Sequence, residues 1–311
     1  MASLYRTLLN GLSRTGAQII DLAPGAAVLV HRRHGKWTST DLGGGVHLVV
    51  DQRKSGMPEQ DFQKAASDCL CSRHVVEMLD HYGVNCVFDV GANVGQYGKR
   101  LRQFGYKGRI VSFEPVPRFL EKLRKRADGD PDWHVFPCGL GRSDELRPMY
   151  VEWNTMNSLL PPSDYGNAAY KRFTKGRTEE IQVSRLDGLM DQALAGISDP
   201  RPYLKMDTQG YDLEVFAGAG ERVGDFVGLQ SEVALLRLYE DSPRMEKALA
   251  EYEGHGFEVT GMYPVTREKS TGRVLEFDCV MMRPGAAPEP VPAPVPGERE
   301  RGAAAGQASG G

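Results

Sequence analysis

The segment Val87-Phe88-Asp89-Val90-Gly91-Ala92-Asn93-Val94-Gly95-Gln96-Tyr97 decides the fold class, because an apolar strand carrying an acid runs into a glycine turn that opens a helix. Glycine lets a backbone turn sharply and lie close to a ligand, and the free N–H groups at the start of the next helix point at negative charge. That is the outline of a nucleotide-cofactor site. A dinucleotide fingerprint spaces its glycines G-x-G-x-x-G so that the pyrophosphate rests on the helix. Here Gly91 and Gly95 give G-x-x-x-G, position 97 is Tyr, and the next glycine is Gly98.

A cofactor without a pyrophosphate suits this turn. S-adenosylmethionine has a single carboxylate and carries positive charge on its ammonium and sulfonium, so an acid at the strand end, Asp89, is welcome beside it. Gly91 and Gly95 then form the cofactor turn. Nineteen positions after Gly95, the strand Arg109-Ile110-Val111-Ser112-Phe113 ends in Glu114-Pro115. An acid about twenty residues beyond the glycine turn, at the tip of the neighbouring strand, is where ribose hydroxyls are held. A solvated strand-end glutamate is the plain alternative, and the coupling to the glycine turn favours the cofactor. Further on, Cys138-Gly139-Leu140-Gly141 reads as a turn at the level of the adenine, where the backbone of Gly139 and the side chain of Leu140 would clasp the ring.

From Cys86 onward, strand candidates at 86–90, 109–113, 133–137, 202–207, 226–232, 256–262 and 274–282 are mostly separated by helical stretches. This alternation predicts an α/β fold with a mainly parallel sheet and helices on both faces. The last two strands are joined by a polar segment, Thr266 to Arg273, and should pair as an antiparallel hairpin at one sheet edge. Residues 1–85 read as an N-terminal cap with β-like runs at Ala27–Val30 and Val46–Asp51 and a helix from about Pro58 to His81. The domain proper covers 86–283. From Pro284 to Gly311 the chain turns to Pro, Ala, Gly and Glu, the composition of a disordered tail.

Polar residues interrupt two of the buried strands. In Tyr203-Leu204-Lys205-Met206-Asp207-Thr208-Gln209-Gly210, alternation sends Lys205 and Asp207 to one side, at the carboxyl end where sites of such sheets lie. One strand further, Gln230-Ser231-Glu232 brings Glu232 to the same crevice if the registers match. A rim salt bridge is the bland reading of these groups. For methyl transfer, the protein must hold acceptor, carbon and sulfur in line, and a hydroxyl acceptor must lose its proton to a base. Asp207 and Glu232 are the candidate bases, with Lys205 orienting one of them or lowering the pKa of the acceptor. Two carboxylates are a thin coordination set for Mg²⁺, and no metal is expected. Asn154–Leu159, rich in hydrogen-bonding side chains, either touches a ligand or caps a loop.

Composition narrows the partners. A net charge of −3 argues against nucleic acid, whose binders carry a basic excess on one face. Five cysteines, an odd number without C-x-x-C spacing, speak for a reducing, cytoplasmic setting and against a disulfide framework or zinc ribbon. No apolar run reaches the eighteen or so residues of a membrane span. The first twenty residues space Leu4, Leu8, Leu9 and Leu12 as an amphipathic helix, read as packing on its own domain rather than lying on a membrane surface. An exposed cap could support a homodimer.

The segments VFDVGANVGQY, SFEP and LKMDTQGYDLEVF, followed by LQSEV and LYE, resemble the FkbM family of methyltransferases over about Cys86 to Met282. The resemblance implies a Rossmann-like seven-stranded methyltransferase sheet and S-adenosylmethionine as donor. It also implies methyl transfer to a hydroxyl on a polyketide, a sugar or another secondary metabolite. By position it puts Asp89, Gly91, Asn93 and Gly95 at the cofactor turn, Glu114 at the ribose, and Lys205, Asp207 and Glu232 near the acceptor. One residue departs from the pattern: Gln209 stands where the family often has an acid, and an amide cannot act as a base. Acceptor choice would then rest on the cap and the 152–180 insertion. Two other classes stay open: an NAD-linked oxidoreductase or epimerase, which lacks its third glycine here, and a non-catalytic cofactor-binding scaffold.

Overall fold

The structure, a computed structural model, describes residues 17–23, 26–31, 37–44, 46–51, 59–151, 155–171, 173, 176–268 and 270–288. Two antiparallel hairpins come first, β1 (Ala17–Ala23) with β2 (Ala26–His31) and β3 (Trp37–Gly43) with β4 (Val46–Asp51). Helix α1 (Glu59–His81) follows, then β5 (Cys86–Val90), α2 (Gln96–Gln103), β6 (Arg109–Phe113), α3 (Pro117–Ala127) and β7 (Trp133–Phe136). Next are β8 (Gly139–Leu140), β9 (Glu145–Val151), α4 (Asp164–Ala169), β10 (Arg177–Ser184), α5 (Asp187–Leu194), β11 (Pro202–Met206) and α6 (Asp212–Gly218). The chain continues through β12 (Gly228–Ala234), α7 (Met245–Gly254), β13 (Glu258–Arg267) and β14 (Val274–Met282).

Seven strands form one sheet in the order β7-β6-β5-β11-β12-β14-β13. Only β14 runs against the others, pairing antiparallel with both β12 and β13. The last two strands thus make the expected hairpin, with β13 at the edge and β14 inserted beside β12. Central β5 is buried along its whole length, as a parallel strand covered on both faces must be. On one face Val87, Ile110 and Tyr203 pack with Cys71, Val75 and Leu79 of α1, Leu101 of α2 and Leu123 of α3. On the other, Phe88, Val111, Leu204 and Leu229 pack with Met190 of α5, Val215 and Phe216 of α6, and Tyr252 of α7. Burying each such side chain contributes about 1.5–3 kcal/mol. Phe88 stacks on Phe113 of β6 at 6.0 Å, which ties β5 to β6, and meets Phe226 edge-on at 5.5 Å.

The chain divides into two compact units, Met1–Ala66 and Ser67–Gly311. The apolar stripe Cys71-Val75-Leu79 ties the second half of α1 to the large sheet. Two features differ from the sequence reading. Ala17–Ala23 is a strand where a helix over the first twenty residues was expected, while residues 1–16 lie outside the described residues. Gly139–Leu140 is a short strand rather than a turn, held in a second sheet ordered β8-β10-β9. Strand β10 escapes notice in the sequence because Arg177, Thr178, Glu180 and Gln182 are exposed and only Ile181 and Val183 are buried. Of the Pro-rich tail, residues 289–311 lie outside the described residues.

Candidate active site

The glycine turn after β5 is left-handed at Gly91 (φ 77°), Asn93 (φ 50°) and Gly95 (φ 78°). Close packing forces glycine at two of these positions. A β-carbon on Gly91 would lie 2.1 Å from the Asp207 carbonyl oxygen, and one on Gly95 would lie 2.8 Å from Leu123. The turn is therefore pressed against the end of β11 before any ligand is considered. Its first two N–H groups, of Gly91 and Ala92, donate to the Phe113 carbonyl at 3.2 and 3.0 Å.

Glu114, at the tip of β6, is buried and reaches across to the turn. One carboxylate oxygen accepts the Asn93 N–H at 2.8 Å, and the other accepts the Val116 N–H at 2.8 Å. Burial pushes its carboxyl up to about 7, against the pull of those two N–H donors. Gly91, Asn93, Glu114, Gly139, Leu140 and Asp207 share the wall of one cleft. Gln96, Thr155, Asn157 and Thr208 also border it. Sequence reasoning left Gln96 unremarked, yet its buried Oε1 has no hydrogen-bond partner among the described residues.

Asp89 does not border the cleft. It is fully buried, with Oδ1 3.1 Å from the Lys205 ammonium and Oδ2 accepting from Ser112 Oγ at 3.2 Å. The cause is register: in the parallel sheet Ser112, Asp89, Lys205 and Gln230 are direct neighbours on β6, β5, β11 and β12. They form one buried polar row across four strands. The Trp133 indole N–H donates to Ser112 at 3.0 Å, and the Lys205 ammonium lies 5.0 Å from the centre of the Tyr97 ring. Burial alone would lower the Lys205 pKa, but the Asp89 and Asp207 carboxylates outweigh it and hold the ammonium above the ordinary lysine range.

Lys205 also stands 3.5 Å from Asp207 Oδ2, whose side chain is 39% exposed. Asp207 Oδ1 accepts from Gln209 Nε2 at 3.0 Å, and the same nitrogen donates to Glu232 Oε2 at 2.8 Å. Lys205, Asp207 and Glu232 are thus brought together, though Glu232 borders a separate, small cavity with Glu276 and Tyr239. Burial and the neighbouring Glu276 and Asp207 carboxylates push the Glu232 carboxyl well above its usual range. Burial likewise raises Glu276 to about 8 and Asp278 to about 6. Asp212 was missed by the sequence reading. It is buried at the start of α6, accepts from Thr208 N at 2.9 Å, from Ser231 Oγ at 2.7 Å and from Glu232 N at 3.2 Å, and so ties the ends of β11 and β12.

The residues present fit an adenosyl cofactor bearing positive charge. The cradle at Gly91 has no room for a side chain, the Glu114 carboxylate keeps lone pairs for a diol, and Gln96 holds an unmatched acceptor. The family model for the methyltransferase FkbM domain matches residues 89–259. The chain belongs to that family. Its donor is S-adenosylmethionine. This FkbM-domain methyltransferase is 26% identical to methyltransferase sdnD of Sordaria araneosa over 199 residues, which are 56% of this chain and 74% of that protein. Among solved structures it is similar to Aeropyrum pernix fibrillarin in complex with S-adenosyl-L-methionine, with a TM-score of 0.40 and 10% identity over 85% of this chain and 94% of that one. It is also similar to magnesium protoporphyrin IX methyltransferase of Synechocystis PCC 6803, with a TM-score of 0.38 and 12% identity over 75% and 88% of the two chains.

Proposed function

We propose that this methyltransferase acts on oxygen, methylating a hydroxyl of a small-molecule, sugar or polyketide-like acceptor. The observation that carries the proposal is Asp207, a partly exposed carboxylate on the cleft wall with Lys205 at one oxygen and Gln209 at the other. When bound, S-adenosylmethionine supplies a methyl group made electrophilic by its sulfonium. The Gly91, Asn93 and Gly95 turn holds the cofactor, Glu114 accepts from its ribose hydroxyls, and Gly139 and Leu140 lie against the adenine. Asp207 takes the proton as the acceptor oxygen attacks, a step that contributes about 10²- to 10⁴-fold in rate. Lys205 keeps Asp207 in place, and Glu232 is tied to Asp207 through the Gln209 amide. In-line displacement asks little more of a protein than alignment and exclusion of water.

A cytoplasmic setting belongs to the same proposal. All five cysteines are free thiols, and no helix among the described residues is long and apolar enough to cross a membrane. The test is a screen of hydroxylated metabolites and polysaccharide fragments for incorporation of label from methyl-labelled S-adenosylmethionine, with the product bond read by mass spectrometry and NMR. An O–CH₃ product that disappears in Asp207→Asn supports the proposal; an N–CH₃ product would overturn it.

A further inference from the structure

Gln209 is hydrogen-bonded both to Asp207, which borders the cofactor cleft, and to Glu232, which borders the neighbouring cavity. Three hydrogen bonds fix its side chain and a fourth its backbone. Its Nε2 gives one hydrogen to Asp207 Oδ1 at 3.0 Å and the other to Glu232 Oε2 at 2.8 Å. Its Oε1 accepts from the Tyr239 hydroxyl at 3.0 Å, a hydrogen shared with the Met156 carbonyl at 3.0 Å. Its backbone carbonyl accepts from Ser158 Oγ at 2.8 Å. The residue is buried and its φ is +54°, a left-handed conformation that a non-glycine residue keeps only where its surroundings over-determine it.

The amide orientation follows from its neighbours. Reversing it would turn a carbonyl oxygen, which only accepts, toward two acids and the NH₂ group toward the Tyr239 hydroxyl, so the NH₂ group must face the acids. A single neutral side chain with two hydrogens thereby serves two acids. A glutamate at 209 would instead bring a third carboxylate to the same point and could donate to one of them at most.

We propose that Gln209 is a positioning residue that couples the two carboxylates: it sets the orientation of Asp207 toward the cofactor cleft and of Glu232 toward the second cavity through one amide, itself held by Tyr239. The inference deepens the reading of Asp207 as the proton acceptor and rests on it for its catalytic meaning. A base whose Oδ1 is held by Gln209 and whose Oδ2 faces Lys205 has little freedom to turn, which is what alignment with an attacking hydroxyl requires.

The experiment follows the side-chain carboxyl ¹³C resonances of Asp207 and Glu232 in the full chain with saturating S-adenosylmethionine. They are assigned by their loss in Asp207→Asn and Glu232→Gln. Each of these substitutions should displace the resonance of the other residue. In the Gln209→Met background both cross-effects should fall to a third or less, while calorimetry shows the cofactor Kd within threefold of the parent. A merely structural role for Gln209 would not remove the cross-effect while leaving binding intact. Tyr239→Phe, which removes the hydroxyl shared between the amide and the Met156 carbonyl, should halve the cross-effects, and it carries the test if Gln209→Met does not fold. Cross-effects that persist undiminished in a folded variant overturn the proposal. Full turnover in Asp207→Asn would instead remove Asp207 as the base and leave the coupling standing.

Discussion

Lys205 of β11 is the direct cross-strand neighbour of Asp89 on β5, and its ammonium lies 3.1 Å from that fully buried carboxylate. Removing one partner of a buried pair strands the other charge in a medium that solvates it poorly, at a cost of about 3–5 kcal/mol. Lys205→Met should lower the unfolding free energy by that amount, and the double variant Asp89→Asn/Lys205→Met should recover part of it. Denaturant unfolding checks both. A loss under about 1 kcal/mol in Lys205→Met would show that the pair contributes little.

Gly91 faces the backbone of Asp207 so closely that an added β-carbon would meet its carbonyl oxygen at 2.1 Å, and its φ of +77° disfavours any L side chain. Gly91→Ala should therefore cost several kcal/mol, roughly 3 or more, and abolish cofactor binding. Calorimetry with S-adenosylmethionine, together with thermal melting, measures it. A variant that melts like the parent would mean that the turn and the end of β11 can separate freely.

Glu114 should make cofactor affinity depend on pH. Burial raises its carboxyl to about 7, and only the ionised form can accept both ribose hydroxyls while keeping the Asn93 and Val116 N–H bonds. Kd for S-adenosylmethionine should tighten as pH rises from 6 to 8. Glu114→Gln should weaken binding by about 1.5–3 kcal/mol and flatten the pH dependence. Equal affinity at both pH values in the parent would exclude the role given to Glu114.

The acids around β12 and β14 set the sign of the stability profile. Burial raises Glu276 from 4.5 to about 8, Glu114 from 4.5 to about 7 and Asp278 from 3.8 to about 6. Across these windows the folded chain holds protons that the unfolded chain has released. Stability must then fall as pH rises, by up to about 1.4 kcal/mol per pH unit for each group. His74, whose pKa burial lowers from 6.5, opposes this only near and below that value. Acids held low by arginines, such as Asp130 and Asp187, lose their contribution only below about pH 4. Unfolding free energy should drop by at least about 2 kcal/mol between pH 6.5 and 8.5. A rise over that range would contradict the burial of these carboxyls.

What could be read from the chain alone was local. The turn at 87–97 is legible because a buried strand, a left-handed turn and a helix start each impose a residue type on consecutive positions. The spacing to Glu114 is equally legible, since a single helix and its loops separate the two strands. The position of Asp89 behind the cleft was not, because its partner Lys205 lies 116 positions away and meets it only through the β5–β11 pairing. Gln209 read as a lost base, since nothing in its neighbours shows that its amide reaches Glu232 on the next strand. Strand β10 gave no signal because one of its faces is solvated and its alternation is mostly charge.

The most direct test of the account is the turnover of Asp207→Asn on a hydroxylated acceptor, with the KM for S-adenosylmethionine measured alongside. The account predicts a kcat lowered by about 10²- to 10⁴-fold and a cofactor KM within threefold of the parent. Turnover equal to that of the parent would contradict it.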